Sequence, residues 1–473
     1  TAAGLISLLA ASAWAPYAWS VDWQATYSIG SSLSLSSNAR LRREGEEEAG
    51  GTARLTLGAV AKGTGRRLKF NTNSSISLIS RTITGGADVD QRLRAISSFE
   101  LLENQVFVDG NFTSTRELIS SASPISGGDA AADRDQRTSV TSISLSPYWQ
   151  RRYGRWAQSL VRYRHTEVIA EGGTNDSRND SLELQLVGGN KIAPWRPALT
   201  AEAVNNNQRA SAGRTENDLT RFSIAFGNQL ALSRRYSLTA SIGYDKVDAS
   251  NDNRDLSGVS WSLGTIMRPG PRTNISFSFG QRFGEPAIEA DMRYEITPRL
   301  SLRLQATQNL NSGLQRLVND SNLVTVDPLT GELVTPAGVP AGFVNSGINA
   351  GISVQQTFEA SLVGDYGRNR IIVSAVQYQR EFDDGNDQTT RVRGSFTRTL
   401  SPYLSVTASS FYRFNSLRTA VETQTLNGRL DLNYRIGPRA TVFSGYSFTT
   451  RLSDDANREY VEHVGTVGGR VTF

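Results

Sequence analysis

Between Leu219 and Thr307 the chain alternates apolar and polar side chains through six successive segments, and this is its strongest constraint. Phe222, Ile224, Phe226, Leu230 and Leu232 stand against Arg221, Ser223, Ala225, Gly227 and Gln229. The same phase returns in Tyr236–Tyr244, Val259–Met267, Ile275–Phe283, Ile288–Ile296 and Leu300–Leu304. Successive strand side chains point to opposite faces, so each segment has one oily and one wet side. Strands of soluble sandwiches usually run about five or six residues. These run about ten or more, and their polar face carries Arg, Glu and Asp. Long strands with an apolar exterior and a polar interior are the pattern of a transmembrane β-barrel. The expected fold is therefore all-β: an antiparallel outer-membrane-type barrel.

Extending the pattern over the 473 residues predicts about 22 strands, with a range of 20–24. The first is Asp22–Leu35 and the last Tyr460–Phe473. Parity supports the count, because connections after odd strands are long and polar, as in Ala39–Gly51, Glu117–Arg137, Glu171–Asp180 and Arg209–Asn217. Those after even strands are short turns, such as Ser233–Arg235, Pro269–Arg272 and Gly437–Pro438. Outer-membrane barrels alternate long outer loops with short periplasmic turns in this way. Gly284–Pro286 departs from it, being short where an outer loop is due.

Hydrophobic residues make up 38% and the mean hydropathy is −0.35, as expected if half of each strand faces water. No apolar run is long enough for a transmembrane helix. Cysteine is absent, which excludes disulfides and thiolate chemistry. Of 50 basic residues only Lys62, Lys69, Lys191 and Lys246 are lysines, and the net charge is +5. Arginines are interspersed with acids, which argues against nucleic acid as a partner. Residues 1–20 (TAAGLISLLAASAWAPYAWS) are apolar and uncharged and read as the remnant of a signal peptide. Residues 21–473 then form one barrel. No stretch before strand one has the length of a plug domain, so a barrel without a plug is expected.

Catalytic chemistry finds no support. Of the two histidines, His165 falls near an outer strand end and His463 within the last strand, and both fit an interfacial belt. No Gly-x-Ser-x-Gly, phosphate loop or metal-ligand spacing is present, so no catalytic residue, cofactor or metal is predicted. Pairs among Glu289, Asp291 and Glu295 could mimic an acid pair, but Arg293 and Arg303 share their face, and a neutralised lining is the better reading. The candidates for function are inward arginines: Arg221, Arg282, Arg293, Arg303, Arg391, Arg393, Arg413, Arg429 and Arg435. Charged rings set pore selectivity. An arginine–carboxylate lattice that stiffens the wall is the equal alternative.

The longest irregular tract, Asn311–Gln355, holds a strand–turn–strand pattern at Val324–Val334, with Asp327, Pro328 and Gly331 supplying the turn. It is expected to fold over or into the lumen as a constriction. The last strand carries Thr466, Gly468, Val471 and a terminal Phe473, which resembles the C-terminal signal read by the bacterial barrel-assembly machinery. Lipid, lipopolysaccharide and that machinery are the expected partners.

Pro147-Tyr-Trp149, Tyr163-Arg164, Gly243-Tyr244, Trp261-Ser-Leu-Gly264, Arg268-Pro-Gly-Pro-Arg272-Thr273 and Gly280-Gln-Arg-Phe283-Gly284 resemble the outer-membrane barrels associated with PEP-CTERM/exosortase systems. Asp327-Pro-Leu-Thr-Gly331 and Gly367-Arg-Asn-Arg370 extend the resemblance over most of the chain. It implies a role beside exopolysaccharide production, with polysaccharide and a periplasmic export partner as companions. A porin-like passage for a hydrophilic solute and a non-conducting surface scaffold are the two readings carried forward.

Overall fold

The structure, a computed structural model, describes residues 21–120, 122–127, 136–171, 176–209, 217–250, 252–312, 325–326, 333–334, 351–418 and 420–473. Strands begin with β1 (Val21–Ser36), β2 (Gly50–Gly65), β3 (Leu68–Arg81), β4 (Ala87–Leu102), β5 (Val106–Leu118) and β6 (Arg137–Tyr153). They continue with β7 (Ala157–Ala170), β8 (Asp176–Gly188), β9 (Trp195–Arg209), β10 (Asn217–Ala231), β11 (Tyr236–Ala249) and β12 (Gly258–Gly270). Then come β13 (Thr273–Arg282), β14 (Glu285–Thr297), β15 (Leu300–Ser312), and two dipeptide strands, β16 (Thr325–Val326) and β17 (Leu333–Val334). The last seven are β18 (Ile352–Asp365), β19 (Asn369–Phe382), β20 (Gly385–Thr399), β21 (Leu404–Leu417), β22 (Ala420–Arg435), β23 (Ala440–Ser453) and β24 (Tyr460–Thr472).

All except β16 and β17 join one 22-stranded antiparallel sheet in which each strand pairs with its chain neighbours. Pairing of β1 with β24, from Ser28↔Thr472 to Ser36↔Val464, closes it into a ring. A ring leaves no open edge along the paired length, which is what a hydrocarbon environment demands of a sheet. The outside is a band of exposed apolar residues, among them Leu33, Leu57, Phe226, Ile242 and Leu263. Trp156, Trp195, Tyr236, Tyr403 and Tyr434 form an aromatic girdle at the short-turn end. Tyr163, Tyr244 and Tyr446 stand toward the other. Apolar band and two girdles mark the hydrocarbon and its interfaces. The chain is a transmembrane β-barrel of the outer membrane, its short turns periplasmic and its longer connections outside.

One expectation needs correction. The tract Asn311–Gln355 is not irregular at its ends: β15 runs to Ser312 and β18 starts at Ile352, the two pairing through Ser312↔Ile352. Polar runs such as Asn309-Leu-Asn-Ser hide this, because strand pairing satisfies the backbone whatever the side chain. The short outer connection noted at Gly284–Pro286 is joined by a second. Phe283–Gly284 and Asp383–Asp384 are two-residue turns, and Phe283 takes a positive φ of 56° there.

Candidate functional site: the lumen and its closed outer mouth

The interior is uneven along its axis. Inward side chains are buried toward the outer end and exposed toward the periplasm. Arg380 and Glu462 sit at 1% and 0% exposure near the top, while the Arg293 and Arg303 side chains are 69% and 61% exposed lower down. Three segments reach inward at the outer end.

Ser120 and, beyond residue 121, Ala122–Gly127 follow β5 and reach across to β21–β24. Glu462 on β24 is their anchor: the carboxylate accepts from Ser126 Oγ at 2.8 Å, Gly127 N at 2.9 Å and Ser36 Oγ at 2.7 Å. The Tyr460 hydroxyl donates to the Ile125 carbonyl at 2.7 Å and accepts from Ile125 N at 2.9 Å. Arg413 donates to Ser123 O at 2.9 Å. Ile125 packs with Leu118 and Phe411, and Leu41 of the β1–β2 loop packs on Tyr460. A buried carboxylate is costly unless its lone pairs are filled, and here the crossing loop supplies the donors.

The second strap is Asp252–Ser257, after β11. Arg254 donates to the Glu381 carbonyl at 3.0 Å and Asn253 to Asp383 at 2.9 Å, both beside the β19–β20 turn. Arg254 also forks onto Asp252, Nε at 2.9 Å and Nη2 at 2.6 Å. Burial alone would raise the Asp252 carboxyl, but the bonds from Arg254 bring it below its ordinary range. The same bond raises the Arg254 guanidinium.

The third is the β15–β18 arm. Pairing of β14 with β15 stops at Ala290↔Ala306, although both strands continue. Beyond that point Leu310, Ile352 and Val354 pack with Leu256, Phe283 and Leu219. Leu219 shares the inward face of β10 with Ser223, so the arm bends off the wall into the lumen. The arm leads into the constriction tract expected from sequence. Within it Thr325↔Val334 and Val326↔Leu333 pair as a hairpin, but Asp327, Pro328 and Gly331 lie outside the described residues.

The nine arginines divide by depth. Arg221 bonds Glu202 at 2.5 Å, Arg282 approaches Asp245 at 3.4 Å, and Arg429 bonds Asp431 at 2.8 Å. Arg391 and Arg413 are buried in the outer half, and Arg391 lies over the Tyr378 ring at 5.5 Å. Arg393 stands one inward position below Arg391 on β20. These belong to the stiffening lattice. Arg293, Arg303 and Arg435 instead reach exposed positions in the periplasmic half. Arg293 pairs loosely with Glu295 at 3.3 Å and Arg303 with Asp291 at 3.7 Å, with Glu289 on the same face. The arginines thus differ in exposure along one lumen, buried or paired toward the outer end and exposed toward the periplasm.

Two features escaped the sequence reading. The loop Ser120–Gly127 has no turn motif to mark it as inward; its signal was Glu462, a lone carboxylate at an inward strand position. The second feature is the periplasmic rim. Nearly every short turn carries exposed cations: Arg66 and Arg67, Arg155, Lys191, Arg234 and Arg235, Arg272, Arg299, Arg368, Arg439. Glu103 is the acid in these turns and pairs with Arg66 at 3.2 Å. The described outer connections run the other way, with Glu44, Glu46–Glu48, Asp383, Asp384, Asp454, Asp455 and Glu459 outnumbering their arginines. Among the described residues the short-turn rim is basic and the outer connections are acidic.

His165 and His463 sit in the outer interfacial belt: His165 Nδ1 meets Asp180 at 2.7 Å beside Tyr163, and His463 Nδ1 meets the Tyr446 hydroxyl at 2.7 Å. At the C-terminus Phe473 exchanges backbone hydrogen bonds with Tyr27 at 3.2 and 2.8 Å, and the Thr466 hydroxyl meets Ser34 at 3.0 Å. Gly468 receives the Phe443 ring. Val471 pairs with Ile29 across the seam.

No protein-family model and no curated protein matches the sequence. Among solved structures, the siderophore receptor PirA of Acinetobacter baumannii is similar, with a TM-score of 0.50 and 10% identity over 95% of this chain and 80% of that one. The FrpB iron transporter of Neisseria meningitidis has a TM-score of 0.50 and 10% identity, over 95% and 82%. The ferric-catecholate import receptor Fiu of E. coli K12 has 0.50 and 11%, over 94% and 81%. At such identities the likeness is one of fold, the large outer-membrane barrel.

Proposed function

We propose that this barrel is a gated outer-membrane passage for a hydrophilic solute, with exopolysaccharide moving outward as its cargo. The observation that carries this reading is the asymmetry of the lumen: a polar, arginine-bearing wall exposed toward the periplasm beneath straps held across the outer end by polar contacts. A barrel built only as a scaffold has no need of exposed Arg293, Arg303 and Arg435 on its inner wall. Closure by hydrogen bonds to Glu462 and Tyr460 suits a gate, since those groups can exchange partners with water when the strap leaves. The motifs shared with PEP-CTERM/exosortase-associated barrels support polysaccharide as the cargo. Thr466, Gly468, Val471 and Phe473 would act as the signal to the assembly machinery, and a periplasmic partner would deliver the polymer.

The second reading is a non-conducting scaffold at the cell surface, favoured by the depth of packing around Arg380, Arg413 and Tyr378. Planar-bilayer recording separates the two. Wild-type protein is expected to show rare, brief openings, and the Glu462→Ala variant long-lived conducting steps. Silence from an intact barrel carrying Glu462→Ala and lacking Ser120–Gly127 would leave the scaffold.

A further inference from the structure

On the inner wall near the periplasmic end, two aromatic rings face water instead of lipid. Phe107 on β5 and Tyr148 on β6 are register partners, and their rings stack with centroids 5.0 Å apart and planes 13° from parallel. Their face is fixed by the unbroken β5–β6 register, in which Thr113↔Ser142 and Thr115↔Val140 are buried inside the barrel. Two residues per step along each strand brings that same face to Phe107 and Tyr148. Arg162, the β7 partner of Tyr148, lies over the tyrosine ring at 4.4 Å. Its Nε is buried without a hydrogen-bond partner, and Glu183 is its register partner across the β7–β8 pair. Asp109 stands one inward position above Phe107.

We infer that the periplasmic mouth is a binding site for an acidic glycan, with Phe107 and Tyr148 as its sugar platform and the basic rim as its anion collector. An aromatic face is electron-rich, and a pyranose ring presents polarised C–H groups along one side, so the two attract where water is the competing contact. The Arg162 fork and Asp109 offer a donor set and an acceptor for ring substituents and hydroxyls. Uronate carboxylates would meet the exposed turn arginines before the platform, and unpaired guanidinium groups take carboxylates two bonds at a time. The acidic outer connections oppose capture of the same polymer from outside. The site rests on the reading of the lumen as a polymer route, and it gives that route a substrate class and a direction.

The test is binding, independent of conduction. Full-length barrel in zwitterionic nanodiscs is titrated calorimetrically with a galacturonate oligomer and with cellohexaose, at low and high salt. Wild type is expected to bind the galacturonate oligomer more tightly, with the preference falling as salt screens the rim. Replacing both rings, Phe107→Ser with Tyr148→Ser, should weaken both sugars by about tenfold or more, while Tyr148→Phe keeps binding. Changing Arg155, Arg234, Arg235 and Arg272 to Gln should remove the preference for the acid and spare cellohexaose. Heat-modifiable gel migration confirms an intact barrel. If the double-ring variant does not fold, Arg162→Gln carries the same comparison, with weaker galacturonate binding expected. Absence of binding by either oligomer, or binding that ignores these changes, overturns the proposal. So does phosphatidylglycerol co-purifying with wild type and not with the rim variant while the oligomers fail to bind. A silent bilayer with intact oligomer binding would instead count against passage alone.

Discussion

Glu462 shows how one side chain sets the state of the mouth. Its strand position fixes it inward, and its burial is tolerable because Ser126, Gly127 and Ser36 fill its oxygens. Glu462→Ala leaves those donors without acceptors, and the closed state should lose about 2–3 kcal/mol. Limited proteolysis of the intact barrel reads this directly: cleavage within Ser120–Gly127 is expected in the variant and not in wild type. Asp252 supplies a pH dependence to the other strap. Its carboxyl titrates below the ordinary value of about 3.9 when clasped to Arg254. A depressed folded pKa means the clasp stabilises the strap fully above the unfolded value and loses that contribution as pH falls through the folded one. Proteolytic protection of Asp252–Ser257 should therefore hold at neutral pH, fade only in acid below that value, and be pH-insensitive in Asp252→Asn.

At the scale of elements, the seam between β1 and β24 decides whether the ring closes. A Cβ on Gly468 would meet the Phe443 ring and lie 2.6 Å from the Ser31 carbonyl oxygen. On Gly469 its nearest neighbours are at 3.7 Å. Gly468→Val is expected to collapse the yield of heat-modifiable, outer-membrane-inserted protein, and Gly469→Ala to leave it near wild type. Equal yields would remove the seam argument. The strands themselves were legible because a bilayer outside and water inside impose the two-residue period on every segment. Their number followed from extending that alternation, with the parity of loop lengths in support. The straps were not legible. Ser120–Gly127 reads as any polar loop, and what folds it inward is a set of partners about 290 to 340 residues away in sequence, at Arg413, Tyr460 and Glu462. The bend of β15 was hidden for a different reason. Its alternation continues past Ala306, and only the end of pairing with β14 shows that the arm has left the wall. Among the arginines, sequence gave the inward face of all nine but no depth, and depth separates Arg413 in the packed lattice from Arg303 in the exposed lumen.

For the molecule as a whole, the asymmetry of charge makes a claim about ions that does not depend on the cargo. Below the straps the exposed wall carries Arg293, Arg303 and Arg435 beside Glu289, Asp291 and Glu295, and the rim adds turn arginines that outnumber its acid, Glu103, which pairs with Arg66. Screening reaches about 8 Å at physiological salt, so the wall and rim charges act on ions that pass close to them. Charged rings of this sign favour anions. In a Glu462→Ala barrel held open across a potassium chloride gradient, the reversal potential should lie on the chloride side. Arg293→Glu together with Arg303→Glu should move it toward potassium while leaving the number and lifetime of openings unchanged, because neither residue touches a strap. A reversal potential indifferent to these two charges would place the narrowest part of the path elsewhere, among the acidic outer connections. The preference would then be for cations in both proteins.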